Sequence, residues 1–106
     1  MKVLFDQGTP APLRRALVGH SVETAYERGW SSLQNGELIA AAETAQFEVL
    51  ITTDKNLKYR QNLATRTLSI VVLLTTSWPR IQNSLPAVLA AVDGSVPGGY
   101  TEVPIE

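Results

Sequence analysis

An open, mostly parallel sheet of about five strands layered between helices, a three-layer α/β sandwich, is the fold this sequence predicts. Three observations predict it. Short apolar runs alternate with helical patterns from one end of the chain to the other. Two of those runs, Glu48 to Thr53 and Leu68 to Thr75, are apolar almost without interruption, as strands covered on both faces are. No internal repeat or low-complexity linker breaks the alternation, so each helical segment reads as a crossover between parallel strands. At 106 residues the chain suits one domain, residues 1–106, and any site is built from one core or from a homodimer of it.

The elements follow in order. Lys2 to Phe5 is a buried first strand, closed by Asp6 and the turn formers Gly8 and Pro10. Pro12 to Val18 carries apolar residues at helical spacing and stops at Gly19. Ser21 to Tyr26 alternates as a weaker second strand. Glu37 to Gln46, rich in Ala and Glu, is the clearest helix, with Asn35 as its N-cap and Glu37 in its first turn. Glu48 to Thr53 ends at Asp54, and a polar crossover leads to the strand at Leu68 to Thr75. Trp78-Pro79 opens a helical region to Val92 that Pro86 must kink or break. Tyr100 to Ile105 is the last strand.

Composition bounds the function. The chain is 44% hydrophobic and 18% charged, enough to bury a core and too apolar for a disordered chain. A formal net charge of −1 shows no general affinity for nucleic acid, so only a local basic cluster would provide one. Without cysteine there is neither a disulfide framework nor a thiolate metal site, which suits a reducing cytoplasm. The start, MKVLFDQGTPAP, meets an acid too early to read as a signal peptide, and the longest apolar run, Ile70 to Leu74, is far too short for a membrane span. A cytoplasmic protein with no membrane partner is the expectation.

Open α/β sheets bind ligands beyond the carboxyl ends of their strands, where the strand order reverses. That rule selects Asp6, Asp54 and the segment Thr75 to Ser77. If the first and third strands are neighbours, two carboxylates meet at one edge, and Glu37 or Asn35 at the head of the central helix adds a further oxygen. Such a set suits Mg²⁺ or Mn²⁺, hard cations that take oxygen ligands and keep several waters. Lys55, Lys58, Arg60 and Arg66, interleaved with Tyr59, form a basic stretch after Asp54 that suits an RNA backbone, with Tyr59 to stack on a base. His20 lies between a helix stop and a strand and reads as a turn or packing residue.

Over its first 75 residues the sequence resembles the PIN-like domains, in particular a compact bacterial branch related to VapC-type toxin ribonucleases. The resemblance is carried, in order, by the strand ending in Asp6 with Pro10 after it, and by Leu13 to Gly19 with the Gly19-His20-x-Val22 turn. The helix opening Asn35-Gly36-Glu37-Leu38-Ile39 with Ala42 and the Thr52-Thr53-Asp54 strand end complete it. It implies metal-dependent hydrolysis of RNA by Asp6 and Asp54, with Glu37 in place of the family's helix-start acid, and an antitoxin protein as partner. The sequence departs from that family at Asn35, where the family has Asp, and at Gln7, where relatives often have Glu.

Two other readings follow from the same residues. Loss of charge at Asn35 and Gln7 suits a module that keeps the fold to bind RNA or a partner without cleaving. A phospho-acceptor receiver domain would also place Asp6, Asp54 and Thr75 or Thr76 at strand ends, but it requires a lysine after the fifth strand, and YTEVPIE has none.

Overall fold

Alternate residues of the three central strands feed two separate cores, and the helices fall on either side accordingly. In the computed structural model, residues 1–57 and 66–105 are described, the side chain of Asn35 excepted. Strands β1 (Lys2–Phe5), β2 (Ser21–Thr24), β3 (Val49–Thr52), β4 (Ser69–Leu73) and β5 (Tyr100–Val103) form one sheet in the order β2-β1-β3-β4-β5, with every pairing parallel. Val3, Phe5, Val49, Ile51, Val71 and Leu73 point to one face. There they meet Leu13 of a 3-10 helix (Ala11–Ala16), Ile81 of α2 (Trp78–Asn83) and Val88 and Val92 of α3 (Leu85–Asp93). Leu4, Leu50, Ile70 and Val72 point to the other face and pack on Leu38, Ile39 and Ala42 of α1 (Asn35–Thr44). The sandwich therefore has the expected three layers. Truncating a side chain buried in either core, Phe5 for example, removes about 3–5 kcal/mol.

Element boundaries moved for local reasons. The second strand ends at Thr24 rather than Tyr26, because Arg28 N donates to Thr24 O and Gly29 N to Tyr26 O, which turns the chain away from β1. The segment after Pro10 winds as a 3-10 helix, short and tight. The expected helix to Val92 breaks at Ser84, and Pro86 sits in the first turn of α3, where its missing N–H costs nothing. Helix α1 begins at Asn35, so Gln34 is its N-cap and Asn35 is the first helical residue rather than the cap. At its other end Gln46 N donates to Glu43 O and Phe47 N to Ala42 O, a paired closure that turns Gln46 into the left-handed region at φ 65°.

The chain runs from β1 outward to β2, returns past β1 to β3, and continues outward through β4 to β5. The order therefore reverses between β1 and β3. Among the described residues, no helix is long and apolar enough to cross a membrane.

Candidate functional site

At the reversal point the register sets Phe5 beside Ile51, so Asp6 leaves β1 next to Thr52, the last residue of β3. Asp6 N donates to Ile51 O at 3.1 Å and carries the pairing one residue further. The chain then folds back on the Asp6 carboxylate: Oδ1 accepts from Gly8 N at 3.1 Å, Thr9 N at 3.1 Å and Thr9 Oγ1 at 2.8 Å. Oδ2 accepts from Thr52 Oγ1. Thr52 in turn accepts from Asp54 N at 3.1 Å, and Asp54 Oδ1 accepts from Asn56 N at 3.0 Å. One threonine hydroxyl thus links the Asp6 carboxylate to the backbone N–H of Asp54.

Close packing enforces this loop. A Cβ on Gly8 would collide with Thr53 Oγ1, so the backbone approach there requires glycine or a shift of Thr53. Thr9 and Thr52, 7% and 2% exposed, are two of the three buried polar residues among those described, which marks this edge as the principal polar intrusion into the cores.

Burial pushes the Asp6 carboxyl above its ordinary value of 3.8; the hydroxyls of Thr52 and Thr9 and the N–H groups of Gly8 and Thr9 pull the other way without cancelling it. Thr9 shows how the proton can be held. Its hydroxyl lies 2.8 Å from Asp6 Oδ1 and 2.8 Å from Ile51 O, yet it has one proton and the carbonyl can only accept. With Asp6 ionised, the two acceptors share that proton. With Asp6 protonated, the carboxyl donates to Thr9 and Thr9 donates to Ile51 in full.

The other expected site residues fall in different places. Glu37 is exposed in the first turn of α1, and its Oε1 accepts from Gln34 N at 3.2 Å, closing a capping box. Lys55 is exposed, one residue past Asp54. Lys58, Tyr59 and Arg60 lie outside the described residues. Arg66 does not belong with them: the crossover carries it to the amino end of β4, the opposite side of the sheet, where its Nη1 meets Glu43 Oε1 at 3.1 Å. Thr75 Oγ1 accepts from Ser77 N, a capping contact before α2. His20 bridges elements, with Nε2 2.8 Å from Asp93 Oδ1.

Asp6 and Asp54 stand at the ends of neighbouring strands, and among the described residues no three His, Cys, Asp or Glu side chains gather as a metal group. Two carboxylates with hydroxyls still suit Mg²⁺, which commonly takes one or two carboxylates and completes its shell with water and substrate phosphate. Among the described residues Asp6 Oδ2 takes one donor, Thr52, and retains a lone pair for that purpose. Thr9 and Thr52 escaped the sequence reading, although Asp-x-x-Thr is the spacing at which a carboxylate can gather the N–H groups of its own turn. Comparison with protein-family models, curated proteins and solved structures returns no match.

Proposed function

We propose that this chain is a PIN-like ribonuclease domain whose Asp6 and Asp54 hold a divalent metal at the strand-order reversal. The observation that carries the reading is the link through Thr52, which fixes Asp54 N against Thr52 Oγ1 and Thr52 Oγ1 against the Asp6 carboxylate. When bound, Mg²⁺ or Mn²⁺ would activate a water and polarise the phosphate. The remaining work belongs to the protein. Gly8 N and Thr9 hold Asp6 Oδ1 within the loop, so Oδ2 is the oxygen left for a ligand. Lys55, exposed just beyond Asp54, is available to hold the RNA backbone.

Calorimetric titration with Mn²⁺ tests this reading, together with cleavage of single-stranded RNA in the presence and absence of EDTA. Wild-type protein binds Mn²⁺ and cleaves; Asp6→Asn and Asp54→Asn each weaken binding by roughly tenfold or more, because affinity rises with ligand charge. Absence of Mn²⁺ binding, or binding indifferent to Asp54→Asn, removes the metal site.

One observation favours a non-catalytic RNA-binding module instead. Asp6 takes four internal donors and Glu37 caps a helix, so both acids already have structural employment. RNA retained in EDTA, with no cleavage on adding Mn²⁺ and no change on Asp54→Asn, decides for that module.

A further inference from the structure

On the β2 side of Asp6, away from Asp54, a cavity of about 370 Å³ opens between the loop after β1 and the segment that leads into α1. Its apolar surface comes from Ala25 and Leu38, buried at 1% and 6% exposure, with Trp30 and Leu33 beside them. Its polar surface is exposed and belongs to Gln7, Ser31, Ser32 and Gln34. Among the described residues of the lining, Asp6 is the one ionisable group, with no Lys or Arg beside it. The described lining, more polar than apolar, therefore suits an uncharged group rich in hydrogen-bonding atoms that can lay a face on these apolar side chains.

Its two carboxamides are oriented. Gln7 Nε2 donates to Ser31 O, which leaves Gln7 Oε1 to accept. In the capping box the Gln34 side chain takes the Glu37 N–H, which leaves Gln34 Nε2 to donate. An acceptor and a donor beside a small apolar surface match the edge and face of a nucleobase. We propose that this cavity is a nucleobase subsite, seating the base of a nucleotide whose phosphate lies toward Asp6 and Asp54. This rests on the nuclease reading for the position of the phosphate, but the seating of the base requires neither metal nor cleavage.

The test titrates adenosine, guanosine, cytidine and uridine, which carry no phosphate, into the protein in EDTA and follows backbone amide and indole resonances. At least one nucleoside shifts Gln7, the Trp30 indole and Ser31 to Gln34 saturably. Ser32→Tyr, at an exposed position that leaves the Gln7 contact to Ser31 intact, retains the wild-type spectrum elsewhere and weakens that binding by roughly tenfold. No saturable shift with any of the four, or equal binding by Ser32→Tyr, overturns the proposal. RNA cleavage is scored separately on the wild type. Nucleoside binding without cleavage keeps the subsite and removes the nuclease reading; cleavage without nucleoside binding does the reverse.

Discussion

Asp6 and Glu43 sit at opposite ends of the sheet and each gathers four donors, yet their proton affinities shift in opposite directions. At the carboxyl end, burial outweighs every hydrogen bond and leaves Asp6 raised. At the amino end, Glu43 accepts from Thr67 N at 2.6 Å, Leu68 N at 3.2 Å, Thr67 Oγ1 at 3.1 Å and Arg66 Nη1 at 3.1 Å. Burial pushes Glu43 up too, but these donors, one of them a cation, outweigh it and leave the carboxyl lowered. Counting hydrogen bonds does not separate a clasp from a site. Desolvation and the charge of the donors do.

The sharpest way to break that contrast is to delete each acid. Asp6→Ala takes the acceptor from the Gly8 N–H and the Thr52 hydroxyl, while Thr9 keeps the Ile51 and Asp6 carbonyls, and lowers unfolding free energy by about 2–4 kcal/mol. Asp6→Asn keeps an acceptor for the turn and loses far less. Urea denaturation compares the two, and equal losses would show that the turn depends on charge rather than on an acceptor. Glu43→Gln, measured the same way at neutral pH, costs about 1–2 kcal/mol, because its donors lie nearer solvent.

Stability against pH separates the two acids by sign. A lowered carboxyl stabilises the fold above its ordinary value, 4.5 for Glu43, and that contribution is lost as pH falls through the folded value. A raised carboxyl does the opposite: its contribution is full below 3.8 for Asp6 and lost as pH rises through the folded value. Glu43→Gln should flatten the acid limb of the stability profile, whereas Asp6→Asn should remove a decline that begins above 3.8. A profile in which both substitutions act in the same direction contradicts the assignment. The smallest effect belongs to the turn beside the Glu43 clasp. Gln46 holds a left-handed conformation that glycine adopts freely, so Gln46→Gly should gain about 0.5–1 kcal/mol.

What the sequence disclosed follows from what is local in each signal. The runs around Val49 and Val71 announced strands covered on both faces, because alternate residues feed two cores and polar residues are confined to the strand ends at Thr52 and Ser69. Asp6 and Asp54 were legible as strand ends. The Thr52 hydroxyl between them was not, because its role depends on β1 and β3 being neighbours and no local pattern encodes that. The same limit placed Arg66 with the wrong partners: proximity to Asp54 in sequence conceals a crossover that spans the sheet. Asn35 looked like a cap by residue type, whereas the box formed by Gln34 and Glu37 starts the helix one residue earlier.

The central position of β1 also sets an order of assembly. Its neighbours are β2 and β3, and the bond that completes the Asp6 turn reaches a residue 46 positions further along the chain. During synthesis this strand must stay unpaired on that side until β3 has emerged, and closing so long a loop precedes any return from the contact. A nascent chain halted before Thr52 would hold Val3, Leu4 and Phe5 exposed as an adhesive apolar ribbon, the state in which this protein is most open to chaperone capture and misassociation.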